Sequence, residues 1–169
     1  MPQLLALYQR LARRPAGRRL FSFAVCWKAP YFRTVRPVFV ELRPGHGEVR
    51  ARNRRAVRNH IGTFHAIACC NLAELVAGTT LEVTLPGSLR WIPQGMAVSY
   101  LAKAETDLRA VATVPDLGDL EADESRALVV PVDVLDERET VVVHADITMW
   151  VSPRPARTVS GGASAPARA

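Results

Sequence analysis

One carboxylate in this sequence sits where acidic side chains seldom do: Glu74 is the sole Asp, Glu, Lys or Arg in residues 64–77, FHAIACCNLAELVA. The segment has helix length, contains neither proline nor glycine, and is expected to stop at Gly78. A helix apolar nearly all round is buried on nearly all sides. An isolated carboxyl carried inside with it responds with a raised pKa unless it is paired or hydrogen-bonded. Carboxyls in such settings tend to do acid–base or nucleophilic work. Helical spacing sets Glu74 on one stripe with Ile67, Cys70 and Ala77, and Asn71 one turn back is placed to orient it. The plain alternative is a protruding helix end with Glu74 simply solvated.

Immediately upstream, Asn59, His60, Ile61, Gly62 and Thr63 lead into the segment, and Gly62 with Thr63 suits a tight entry with an N-cap hydroxyl. The first amides of such a helix are unpaired and partly positive, which favours a developing oxyanion. Two helical turns span roughly 11 Å. One helix therefore cannot bring both its start and Glu74 to the same bound group, whereas two copies of the chain facing each other can.

These groups must be held by a mostly β framework. At the start, Leu4, Leu7, Tyr8 and Leu11 recur at the spacing of one helical face, predicting a basic amphipathic helix within residues 1–19 that packs on the domain's own surface, a membrane-lying helix being the rarer alternative. An aromatic-rich stretch over residues 21–32 follows, broken by Pro30. Strands are expected at 37–42 and 48–53 with a turn at 44–47, and after the apolar helix at 81–85, 96–104, 108–114, 128–135 and 140–151. In the last of these Val141, Val143, Ala145, Ile147, Met149 and Val151 share a face. The acidic loop 116–125 reads as a solvated connection. Residues 152–169, composed largely of Pro, Ser, Gly, Ala and Arg, carry too little apolar surface to offset the entropy of ordering and are expected to be disordered.

Composition bounds the answer. The chain of 169 residues, 49% hydrophobic, is long enough for one core and short for two. Its apolar runs are broken before they reach bilayer length, and its arginines follow rather than precede the first apolar residues, so neither stable membrane insertion nor a secretory signal is expected and the compartment read from this is cytoplasmic. An Arg-rich, acid-poor start is also the composition of an organelle transit peptide. Cys26, Cys69 and Cys70 form no metal-ligand spacing, so packed thiols are expected, with no disulfide framework, metal or redox cofactor. Residues 1–58 hold 14 Lys and Arg against 2 Asp and Glu, and residues 59–151 hold 5 against 14. The basic half suits an anionic partner or is simply a solvated surface. Nucleic acid is not the partner expected, because no binding motif or aromatic interleaving accompanies the arginines.

Asn59, Gly62-Thr63, His65-Ala66 and Leu72-Ala73-Glu74, with the carboxylate nine positions after the histidine, together resemble the pattern of hotdog-fold thioesterases, especially the phenylacetate-pathway type and the related DUF4442 branch. The resemblance runs loosely over residues 20–151 and implies an α+β fold, a curved antiparallel sheet wrapped around a central helix. It also implies a homodimer, or a dimer of dimers, with sites at the interface. Carried over by position, Glu74 is the implied general base or nucleophile, Asn59 contacts the thioester or water, and the Ala66 amide holds the carbonyl oxygen. His65, Gly62 and Thr63 position the substrate. The implied substrate is a thioester of coenzyme A or acyl carrier protein. Its phosphates would be met by Arg54, Arg55 and Arg58, and Arg50, Arg52 and Arg54 are expected on one strand face. The segment Trp91 to Gly95, with Tyr100, either lines an acyl pocket or is ordinary core and turn. Ala66 stands where the family commonly has glycine, and Glu74 where aspartate is commoner. Two other readings stay open: a non-catalytic acyl-thioester-binding dimer, and a hotdog dehydratase or hydratase using His60, His65 or His144 with a carboxylate.

Overall fold

The computed structural model describes residues 3–118 and 125–155; of the tail expected to be disordered from residue 152, Ser152 and Pro153 end a strand and Arg154 donates to the Leu89 carbonyl, and residues 156–169 lie outside the described residues. Six strands form one antiparallel sheet in the order β1-β2-β4-β5-β6-β3, with β1 Val38–Arg43, β2 His46–Ala51, β3 Leu89–Tyr100, β4 Leu108–Thr113, β5 Arg126–Leu135 and β6 Val141–Pro153. Three helices accompany it: α1 Gln3–Ala12, α2 Gly17–Lys28 and α3 Ala66–Thr84. Helix α3 touches all six strands, so the sheet curves round it. This is the α+β hotdog arrangement that the family resemblance implies.

The inward faces follow the period of two. Val130, Val132 and Val134 on β5 and Val143, Ala145, Ile147, Met149 and Val151 on β6 are buried against Leu72, Leu75, Val76, Leu81 and their neighbours. Of the expected β6 face only Val141 is half-buried, beside an irregularity in the β5–β6 register that also buries Val142.

Three expectations change. Helix α3 does not stop at Gly78 but continues to Thr84, so residues 81–85 are not a strand. A Cβ on Gly78 would lie 2.5 Å from Trp91 Cη2, so glycine is there to admit the indole ring and not to end the helix. Strand β3 begins at Leu89, so Trp91 to Gly95 is strand rather than turn. It is an edge strand, where Pro93 removes no ladder hydrogen bond that a central strand would need. Finally, the aromatic stretch after residue 16 is helical, and α2 crosses the boundary expected at residue 20.

The amino-terminal helices pack on the domain. Leu5 and Tyr8 of α1 are buried, and the rings of Tyr8, Phe21 and Phe39 meet edge to face at 5.1 Å centroid spacings. Tyr8 donates to the Val40 carbonyl at 2.9 Å, and the buried Ser22 hydroxyl accepts from the Phe39 amide at 2.9 Å. At the α1–α2 corner a Cβ on Gly17 would lie 1.8 Å from the Leu11 carbonyl oxygen, so only glycine allows the helices so close.

Candidate active site

The entry to α3 is built by side chains bonding to nearby backbone. Asn53 accepts Arg58 Nε at 2.9 Å, donates to the Glu105 carbonyl at 2.7 Å, and its amide donates to Asp107 at 2.8 Å. Asn59 Oδ1 accepts from the amides of Ile61 and Thr63, each at 3.1 Å, while its Nδ2 donates to Thr63 Oγ1 at 2.8 Å. Gly62 turns the chain at φ 86°, a left-handed conformation that favours glycine. Asn59, Gly62 and Thr63 are thus brought together as expected, but as a self-contained loop. Both polar ends of Asn59 are committed to it.

The cap is not Thr63. His65 is the N-cap, and its Nδ1 accepts from the Ile67 amide at 3.1 Å. That nitrogen is therefore the unprotonated one, leaving Nε2 to carry the hydrogen of the neutral ring. The Ile67 amide is consumed by this cap, whereas the Ala66 amide has no partner among the described residues. It faces the end of a helix of 19 residues, the setting in which a partial positive charge is available to an anion.

Beside it lies a cleft of about 240 Å³ lined by residues that include Tyr31, Thr34, Arg58, His65, Ala68 and Asn71. Asn71 is 6% exposed, yet its Oδ1 has no hydrogen-bond partner among the described residues; its Nδ2 makes one contact of 3.2 Å to Thr34 Oγ1 and a longer one of 3.5 Å to the Tyr31 carbonyl. An orphan acceptor so deeply buried costs on the order of 1–3 kcal/mol. Asn71 therefore belongs to the cleft rather than to Glu74. The segment that completes this wall, a 3-10 turn at Pro30–Thr34, was not singled out by sequence reasoning. Its only signal was Pro30 followed by aromatic residues.

Glu74 occupies the middle of α3 and is half-buried, so the helix is not enclosed on every side. The stripe Ile67, Cys70 and Glu74 forms an open seam, with Ile67 57% exposed. Glu74 has no hydrogen bond or ion pair among the described residues. Next to it Cys70 Sγ lies 3.3 Å from Tyr100 Oη on the β3 edge, and this contact, with burial adding to it, pushes the phenol up to about 12. Tyr100 is 53% exposed, so it borders the seam rather than lining a closed pocket. Trp91 is not pocket lining either: its Nε1 donates to Glu82 at 2.9 Å.

The arginines divide. Arg54 is turned inward, with Nη2 donating to the Thr34 carbonyl; burial, then the nearby Arg36 charge, lowers its pKa. It does not display its charge as a phosphate contact would. Arg55 is exposed, and Arg58 is exposed on the cleft rim although tethered to Asn53. The expected face of Arg50, Arg52 and Arg54 does not form, because β2 ends at Ala51. Of the histidines, His60 is exposed in the loop, and His144 bonds Asp133 at 2.7 Å on the outer face of the sheet, between the buried Val143 and Ala145. Among the described residues no group of three His, Cys, Asp or Glu is placed to hold a metal.

Residues 17–151 match the family described as "domain of unknown function (DUF4442)". A structural-genomics crystal structure, APC5556, is 47% identical, covering 90% of this chain and 98% of that one with a TM-score of 0.75. PA5026 of Pseudomonas aeruginosa, described as a probable thioesterase, is 19% identical, covering 83% and 97% with a TM-score of 0.71. BH2602 of Bacillus halodurans, solved with CoA, is 22% identical, covering 62% and 66% with a TM-score of 0.54. No curated protein matches the chain.

Proposed function

The chain belongs to the DUF4442 family and has the hotdog fold, and on that premise we propose that it hydrolyses an acyl thioester of coenzyme A or acyl carrier protein. One observation carries the reading: among the described residues a single helix offers an unpartnered amide at Ala66, between His65 and Ile67 of the cleft wall, and an unpartnered carboxylate at Glu74 on an open seam. The two are eight residues apart, about 12 Å along the helix. They serve one substrate only when two subunits face each other, each lending its helix start to the other's Glu74.

The bare edge of β3 supports that pairing. Pro93 offers no amide, and the exposed stretch beyond it, through Ser99 and Tyr100, is the part of this unpaired edge that can template a second strand. In the homodimer Glu74 takes a proton from water as the water oxygen bonds to the carbonyl carbon. The Ala66 amide stabilises the resulting oxyanion. Collapse of the tetrahedral species breaks the carbon–sulfur bond, and the thiolate leaves with the proton. Asn59 acts by holding the loop that sets the helix start, and His65 by capping it. Arg55 and Arg58 meet the ligand's phosphates. The CoA in the Bacillus halodurans neighbour favours coenzyme A as the handle.

Free thiol released from short, medium, long and aromatic acyl-CoA substrates tests the reading, with folded Glu74→Ala as comparison and light scattering for the dimer. Turnover that disappears in the variant is expected. Equal turnover would remove Glu74 from the chemistry, and tight binding without turnover by either would make the protein an acyl-thioester binder. The dehydratase reading is weaker because the His144–Asp133 pair is on the opposite face of the sheet from α3.

A further inference from the structure

The first 36 residues contain eight Arg and Lys and no acid, in a chain whose net charge is only +6. Arg10, Arg13, Arg14, Arg18, Arg19, Lys28, Arg33 and Arg36 are all exposed, and none makes a salt bridge among the described residues. In the same stretch stand exposed apolar side chains: Leu20 at 55%, Phe23 at 54%, Trp27 at 75% and Tyr31 at 68%. Leu20, Phe23 and Trp27 follow one another at three and four positions along α2, and the Phe23 and Trp27 rings lie 6.1 Å apart. They form the face of α2 opposite the buried Phe21, Ser22 and Cys26. At 3.6 residues per turn, Arg19 and Lys28 fall on the two flanks of this stripe.

A helix with an apolar stripe rich in aromatic residues and flanked by cations has the pattern of one that lies in a bilayer interface. Trp and Tyr prefer that depth, where the ring is in apolar surroundings and its polar atom meets the headgroups. The α1–α2 arm is also a prepared platform. Ser22, Phe21 and Tyr8 fix it to β1, so little ordering remains to be done on binding. It sits at the β1 edge of the sheet, whereas the β3 edge on which a dimer is expected to form is at the other end. Strand pairing at β3 leaves the arm uncovered. Arg10, Arg13 and Arg14 further line a shallow hollow with Ala6 and Gln9, a setting suited to lipid phosphate.

We propose that the α1–α2 arm docks the protein reversibly on an anionic phospholipid surface, with Leu20, Phe23 and Trp27 in the interfacial layer and the arginines on the headgroups. The charge chooses this occupant over a second copy of the chain, because two such arms would bring eight cations against eight. The inference does not depend on the thioesterase reading.

Cosedimentation of the full chain with vesicles tests it, comparing phosphatidylcholine alone with an equal mixture of phosphatidylcholine and phosphatidylglycerol. Partition onto the anionic vesicles is expected to exceed that onto neutral ones by more than about 25-fold and to weaken as salt rises, since each cation near an anionic surface contributes about fivefold. Arg14→Ala with Arg19→Ala should lower it by about 25-fold on the same basis. Phe23→Ser with Trp27→Ser, both on an exposed face, should reduce it without changing the circular dichroism spectrum. Equal partition onto the two vesicle types, or unchanged partition in the aromatic variant, would overturn the proposal. So would an oligomer, measured by light scattering, that falls apart in the aromatic variant, since a second copy would then be the occupant.

Discussion

The two halves of α3 are made from similar residues and finished differently. In the second half every polar side chain is occupied: Thr79, Thr80 and Thr84 donate back to carbonyls of the preceding turn at 2.6 Å, and Glu82 is held by Trp91 at 2.9 Å and Arg154 at 3.3 Å. In the first half the Ala66 amide, Asn71 Oδ1 and the Glu74 carboxylate are all unmatched among the described residues. A buried polar group without a partner is a cost to the fold. Only Asn71 Oδ1 carries that cost here, since Ala66 and Glu74 are half-buried, and the closed end shows α3 with its polar side chains paired.

The comparison breaks most decisively at the two glutamates. Glu74→Gln is expected to lower kcat by about 10²- to 10⁴-fold, as loss of an acid–base group does, with an unchanged unfolding midpoint. Steady-state kinetics and thermal denaturation on one preparation check both halves of the statement. At the closed end the signs reverse. Gly78→Ala drives a methyl group to 2.5 Å from the Trp91 ring, which its bond to Glu82 restrains from swinging aside, and should cost about 1–3 kcal/mol in urea denaturation with kcat little altered. Glu82→Ala releases the same ring and should cost about 1 kcal/mol, again without a kinetic effect. A Glu82 variant that lost activity while keeping its stability would abolish the distinction.

The smallest expected effect is away from α3. Hydrogen bonding to Asp133 raises the His144 pKa above the ordinary histidine value, with the charges of Asp133 and Asp146 adding to it. A raised folded pKa means that the contribution to stability is fully present below the unfolded value and is lost as pH rises through the folded one. The pair is largely solvated, so the stability change should be slight, and the titration is better followed directly. Asp133→Asn should move the His144 midpoint down by NMR and leave thioester turnover alone.

The sequence carried the first half of α3 clearly, because a lone acid in an otherwise apolar run has few explanations. It hid the second half. Leu81, Val83 and Leu85 alternate with Glu82 and Thr84 at the period of a strand, and Gly78 reads as a stop until the Trp91 ring over it is seen. Helix α2 escaped for a related reason: large apolar residues occupy both its faces, Phe21 inward and Phe23 and Trp27 outward, which erases the helical period. Among the site residues, Gly62 and Thr63 read from their types as the tight entry to the helix, and Asn59 is singled out by the resemblance. The true cap, His65, does not read as a cap, because histidine is seldom the side chain chosen to accept at a helix start. The inward turn of Arg54 was beyond reach, since it depends on Thr34, twenty residues earlier in the chain.

The adjacent cysteines near the start of α3 give the seam a reporter that needs no mutation. Cys69 is 1% exposed, and burial, reinforced by its neighbour, pushes its thiol up to about 12, so it has no reactive thiolate near neutral pH. Cys70, one residue on, opens onto the seam that carries Glu74 and touches Tyr100. Cys26 on α2 is buried as well, so a thiol-directed fluorophore or mass tag should mark a single position, on the face of the helix that carries Glu74. The rate of that labelling, followed as substrate is added or as the protein is diluted, reads out directly whether the seam is covered.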